Sequence, residues 1–119
     1  MTVRFHALDR ATQLYKECKN LKLENYIRLQ LLREMSSVAL NLSEGNYRQS
    51  TKDRLRFFNY AFTSLKEVQQ IFELEDIHYL RKEADQLAAM IYVMNRNLTD
   101  TANRSRNGTR PTSLSLSSG

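Results

Sequence analysis

Tryptophan is absent from this 119-residue chain, and it has one proline, three glycines, one cysteine and two histidines. So little turn punctuation points to one small, mostly helical domain. A single cysteine, Cys18, excludes an internal disulfide and agrees with a reducing compartment. No apolar run approaches the roughly 18 residues that cross a bilayer, so no membrane contact is expected. Met1 to Arg10 carries charges where a signal peptide would be apolar, and the cytoplasm is the expected location. With two histidines, most metal and triad schemes lack ligands. A single Glu-x-x-His, Glu75 to His78, has no mate elsewhere, so a di-metal site in a bundle is not supported. Gly-rich phosphate loops, paired-cysteine motifs and nucleophile elbows are also missing. The chain is therefore expected to be no enzyme and to need no metal or cofactor.

What is present is apolar periodicity. Hydrophobic residues make up 41% and charged residues 26% of the chain, and the apolar positions recur every three or four residues, the helical signature. The spacing predicts an all-α, antiparallel up-down-up-down four-helix bundle over residues 1–98, with helices at about 3–20, 24–46, 50–74 and 76–98. Residues 99–119 change to Thr, Asn, Arg, Ser and Gly and read as a basic, disordered tail.

The first helix carries Phe5, Leu8, Thr12 and Tyr15 beside Ala7, Ala11, Leu14 and Cys18; Cys18 is read as a small core residue and His6 as a surface residue. The second has two apolar stripes. Ile27, Leu31, Met35, Val38 and Leu42 form one, and Leu29, Leu32, Ser36, Ala39, Leu40 and Ser43 lie nearly opposite. One core cannot face both ways, so the second stripe is assigned to a subunit interface, with the small residues Ser36, Ala39 and Ser43 permitting close helix approach. Helix three shows an arc of roughly 200° (Leu55, Phe58, Phe62, Leu65 and Phe72 with Phe57, Ala61, Ser64, Val68 and Ile71), again more than one core uses. In helix four, Ile77, Leu80, Ala84, Leu87, Ile91, Met94 and Leu98 keep step without a break, and Glu75-Asp76 supplies acid where a helix N-terminus favours it.

Gly45, the first glycine in the chain, is expected to turn the corner between helices two and three. Asn41 is a candidate buried amide fixing register. Glu44 stands where the helix dipole disfavours an anion, so a cationic partner is expected from Arg33 or Arg48; a catalytic carboxylate is the sharper alternative. Ser50 with Asp53 three residues on is a capping-box-like start to helix three.

Net charge is +5. Residues 1–98 hold 15 basic against 12 acidic residues, and residues 99–119 hold three Arg against Asp100. The excess is moderate, but Arg48, Lys52, Arg54 and Arg56 gather beside Tyr47 at the corner. Such a cluster reads either as a solvated face or as phosphate contacts for DNA or RNA, joined by Arg104, Arg106 and Arg110 of the tail.

The segment Ser37-Val38-Ala39-Leu40-Asn41-Leu42-Ser43-Glu44-Gly45, followed at fixed spacing by Arg48, Ser50, Phe57, Ala61, Ser64, Leu65 and Glu67, resembles the bacterial four-helix bundle proteins encoded by intervening sequences of large-subunit ribosomal RNA genes. The family pattern reads Ser-Ile-Pro-x-Asn-Ile-Ala-Glu-Gly. This chain departs from it in Ala39 for Pro, Ser43 for Ala and Thr63 for Gly. The resemblance spans about Phe5 to Leu98 and implies a ring-like homopentamer. A related group, the accessory variability determinants of diversity-generating retroelements, binds nucleic acid and a reverse transcriptase, which implies those partners by analogy. Two function classes follow: a nucleic-acid-binding accessory protein with weak, non-sequence-specific phosphate contacts, and an oligomeric protein-interaction scaffold without them.

Overall fold

The computed structural model describes residues 5–107, and the side chains up to Arg104. Four helices follow in order: α1 (His6–Cys18), α2 (Asn25–Tyr47), α3 (Thr51–Leu74) and α4 (Arg81–Asn107). Each packs against the next and α1 returns to α4, closing an antiparallel four-helix bundle. Among the described residues no helix is long and apolar enough to cross a membrane.

The periodicity explains the core. Ala7, Ala11, Leu14 and Cys18 of α1 meet Leu31, Met35, Val38 and Leu42 of α2, Phe58, Ala61, Leu65, Val68 and Phe72 of α3, and Ala84, Leu87 and Ile91 of α4. Phe58 and Phe72 are the bulkiest fully buried side chains. The two adjoining stripes of α3 face α2 and α4 together, so most of the arc that looked surplus is consumed within one chain: Phe62 and Ile71 pack on the core from its margin. That expectation is corrected for α3. It stands differently for α2, where Leu29 and Leu40 remain 56% and 68% exposed.

The helix joints are closed by specific groups. Arg28 of α2 donates from Nη2 to the Lys19 carbonyl at 3.2 Å, satisfying a carbonyl at the end of α1. Ser50 caps α3, its Oγ accepting from the Asp53 amide at 3.1 Å. Glu75-Asp76 does not begin the fourth helix; it ends the third. Asp76 has φ 56°, the Ile77 amide donates to the Phe72 carbonyl at 2.9 Å, and the Asp76 amide donates to that of Glu73 at 3.3 Å. This is the Schellman pattern, with the aspartate in the left-handed position usually held by glycine. Ile77 is buried behind it, and Arg81 reaches back to Glu73 at 2.9 Å. Helix α4 then starts at Arg81, with the Ala84 amide donating to the Leu80 carbonyl.

The fourth helix also ends later than its last clean apolar position. It runs through residues 99–107, because extending an existing helix fixes one residue per added bond whereas nucleating one is costly. Thr99 Oγ1 donates to the Asn95 carbonyl at 2.8 Å. The tail expected from residue 99 is corrected accordingly; its portion from residue 108 lies outside the described residues.

Candidate functional site

The end of α2, the bend at residues 48–50 and the first turns of α3 bring the predicted residues together. Gly45, expected to turn the corner, lies inside α2 and is buried. No glycine among the described residues has positive φ. Its role is proximity instead: a Cβ at Gly45 would lie 2.6 Å from Phe58 Cε1 and 3.2 Å from Phe57 Cβ. The bend itself is made by Arg48 (φ −71°, ψ 147°) and Ser50 (φ −82°, ψ 143°), both in extended geometry that any residue adopts. Two helices cross closely here because nothing but hydrogen separates them.

Glu44 pairs with Arg48, Oε2 to Nη2 at 2.5 Å, with both side chains partly exposed. Arg33, the other expected partner, points elsewhere and donates to Gln30 Oε1 at 2.9 Å. One turn of separation links Glu44 to Arg48, whereas Arg33 lies three turns back. Asn41 donates to the Ser37 carbonyl at 2.9 Å and to its Oγ at 3.1 Å, and the hydroxyls of Ser37 and Ser64 share a hydrogen bond at 2.8 Å. A polar seam therefore runs from Asn41 through Ser37 to Ser64, joining α2 to α3 beside an apolar core.

The four cations do not stand alone. Arg48 and Arg56 both lie over the Phe57 ring, their guanidinium carbons 4.8 and 4.9 Å from its centroid, and Phe57 meets Tyr60 edge-on at 5.9 Å. Arg56 also approaches Asp53 at 3.7 Å. Arg54 covers Phe58 at 5.8 Å, while Lys52 is exposed. A guanidinium has five donors, so one carboxylate contact leaves several for another anion. Sequence reasoning counted Tyr47 as the aromatic of this patch and missed Phe57, which it had placed in an apolar stripe. The legible signal was Arg56 next to Phe57 at the start of a helix whose partner ends in Arg48. Arg104, read as part of a flexible tail, is exposed on α4; the Arg106 side chain and Arg110 lie outside the described side chains.

Ser36, Ala39 and Ser43 line one side of α2 and are half-buried, with the exposed Leu29 and Leu40 on the same helix. Ser36 Oγ donates to the Arg33 carbonyl. Elsewhere, His6 and His78 are exposed, and among the described residues no group of three or more His, Cys, Asp or Glu stands together as a metal site would require. Burial, with a smaller contribution from the Glu17 charge, pushes the Cys18 thiol from 9.0 up to about 12. Such a thiol is not a nucleophile at neutral pH.

No curated protein and no solved structure matches the chain. The family model that does match, over residues 1–100, is that of the 23S rRNA-intervening sequence protein.

Proposed function

The chain belongs to the 23S rRNA-intervening sequence protein family, and from that premise we propose that it is a non-enzymatic, homo-oligomeric accessory protein of the cytoplasm that binds DNA or RNA through phosphates. The observation that carries this reading is the corner where the Arg48 and Arg56 guanidiniums are both held against the Phe57 ring, with Lys52 exposed and Arg54 over Phe58 in the same first turns of α3. A cation ordered by stacking loses less freedom when it meets a phosphate than one that swings free. Glu44 and Asp53 dilute the charge, so binding per subunit is weak and indifferent to sequence. A ring, of five subunits by the family resemblance, repeats the corner and raises affinity by multivalency.

Electrophoretic mobility shift with DNA and RNA across a salt series tests the proposal. Affinity should fall steeply as salt rises, because phosphate contacts release counterions. Replacing Arg48, Lys52 and Arg56 by Ala should abolish the shift. No shift from the unaltered protein at about 50 mM salt, where such contacts are strongest, leaves the other reading.

That other reading, an interaction scaffold without nucleic-acid affinity, is supported by the uncovered Leu29 and Leu40 on α2. Both readings include self-association through Ser36, Ala39 and Ser43. Light scattering at micromolar concentration should give a mass several times that of one chain, and a charge at Ala39 or Ser43 should lower it. A mass of 14.0 kDa removes the oligomer from the proposal.

A further inference from the structure

On the outer side of the bundle, α3 and α4 enclose a recess of about 370 Å³ lined by Asn59, Phe62, Tyr92, Asn95, Arg96 and Asp100. Its size falls within the usual range for small-ligand sites, about 300–1,000 Å³. Two aromatic side chains, two amides, a guanidinium and a carboxylate converge there. The amides bridge the helices, Asn95 Nδ2 donating to Asn59 Oδ1 at 3.0 Å. This leaves the exposed Asn59 Nδ2 without a described protein partner. Tyr92 is 57% exposed, and Lys66 lies 5.2 Å from the Phe62 centroid at the far side of the recess.

Its position on α3 gives the recess meaning. Asn59 follows Arg56 by one helical turn, and Lys66 follows Phe62 by another, so basic residues stand on both sides, separated by about 15 Å along the axis. Resting on the nucleic-acid reading above, we propose that this recess takes one unpaired base of a single strand, stacked on Tyr92, while its flanking phosphates meet Lys66 and Arg96, the strand running on toward the corner at Arg56. The Asn59 amide donates to acceptors on the base edge, and Asp100 accepts from its N–H groups. A base can enter only when it is out of a duplex stack, so the protein prefers single strands to duplexes of the same length.

Two other recesses fit this chemistry less well. The groove between α1 and α4, about 500 Å³, is walled mainly by apolar side chains, Phe5, Ala7, Met90 and Val93, with His6 its one polar lining residue, and so offers a base edge far less than the two amides, guanidinium and carboxylate above. A third recess carries Glu17 and Glu83, which repel phosphates, and its Arg10 is already donating to Gln86.

Fluorescence anisotropy with a labelled oligothymidylate, and with a duplex of equal length, decides the matter at about 50 mM salt. The single strand should bind more tightly. Tyr92→Ala should weaken single-strand binding by about fivefold or more, in keeping with the usual contribution of base–aromatic stacking, and leave the duplex unchanged. Tyr92→Phe should keep the unaltered affinity, since the ring rather than the hydroxyl does the stacking. Equal affinity for the two probes, or equal losses for both in Tyr92→Ala, overturns the base recess while the phosphate corner stands. If Arg48, Lys52 and Arg56 replaced by Ala loses both probes and Tyr92→Ala loses only the single strand, the two sites are separate and both hold. Binding of neither probe by the unaltered protein overturns both.

Discussion

Replacing the hydrogen of Gly45 by a methyl group sets two effects against each other. Alanine favours the helix interior over glycine by about 1 kcal/mol, but the added carbon would lie 2.6 Å from the Phe58 ring, and overpacking costs about 1–3 kcal/mol. Phe58 is fully buried and cannot swing aside, so the clash wins. Gly45→Ala should lower stability by up to about 2 kcal/mol in urea denaturation. The sequence made this glycine conspicuous but pointed to the wrong reason, because a corner glycine and a close-packing glycine look alike in one dimension. Cys18 is a second residue whose environment decides its behaviour. Its thiol is raised from 9.0 to about 12 by burial, so above pH 9 the unfolded chain loses this proton while the folded chain keeps it. The stability contribution is whole below pH 9 and is lost as pH climbs toward 12. Thermal melts between pH 8 and 11 should show a smaller alkaline decline in Cys18→Ala than in the unaltered protein.

Between α3 and α4 the chain accepts an unfavourable backbone geometry, Asp76 at φ 56°. Left-handed conformation costs an ordinary residue about 1–2 kcal/mol, less for aspartate, and an acid at a helix C-terminus also opposes the dipole. Asp76→Gly removes both penalties but enlarges the freedom of the unfolded chain, so a net gain of about 0.5–1 kcal/mol is expected, read as a higher melting temperature in calorimetry. The α2–α3 pairing has its own test. A double-mutant cycle on Ser37→Ala and Ser64→Ala should give a coupling of about 0.5–1.5 kcal/mol for their 2.8 Å hydrogen bond. Helix identity was legible throughout, since a 3.6-residue period survives any reasonable choice of end. Helix ends were not. Acids at 75 and 76 resemble an N-terminal turn until the Ile77 amide is seen bonding back to Phe72. Thr99, Asp100, Thr101 and Asn103 are weak helix formers that α4 carries by continuation. The seam through Ser37 and Ser64 was half legible: Asn41 announced a buried amide, but Ser64, on an apolar stripe of α3, reads as filler until its hydroxyl is seen facing that of Ser37.

For the molecule as a whole, the sequence told the core from the surface well along α1 and α4, where one stripe meets one core. It was ambiguous along α2 and α3, where periodicity cannot say whether an extra stripe meets a neighbour in the same chain or in another. The structure divides them: α3 spends its second stripe internally, and α2 leaves Leu29 and Leu40 in the open. The same architecture makes the four helices unequal in another respect. With 13 residues, α1 is about as short as a helix can be and still hold alone. Its fully buried contacts are Ala7, Ala11, Leu14 and Cys18, three of them small, with Leu8 and Tyr15 packed at the margin, and a groove of about 500 Å³ lies between its start and α4. Amide hydrogens there should be released by a local opening that the core of α2 and α3 does not share. Hydrogen exchange followed by mass spectrometry should therefore label α1 well before Leu31 to Leu42 and Phe58 to Phe72, which exchange only with global unfolding. The bundle would then behave as a stable three-helix body against which its first helix undocks and returns.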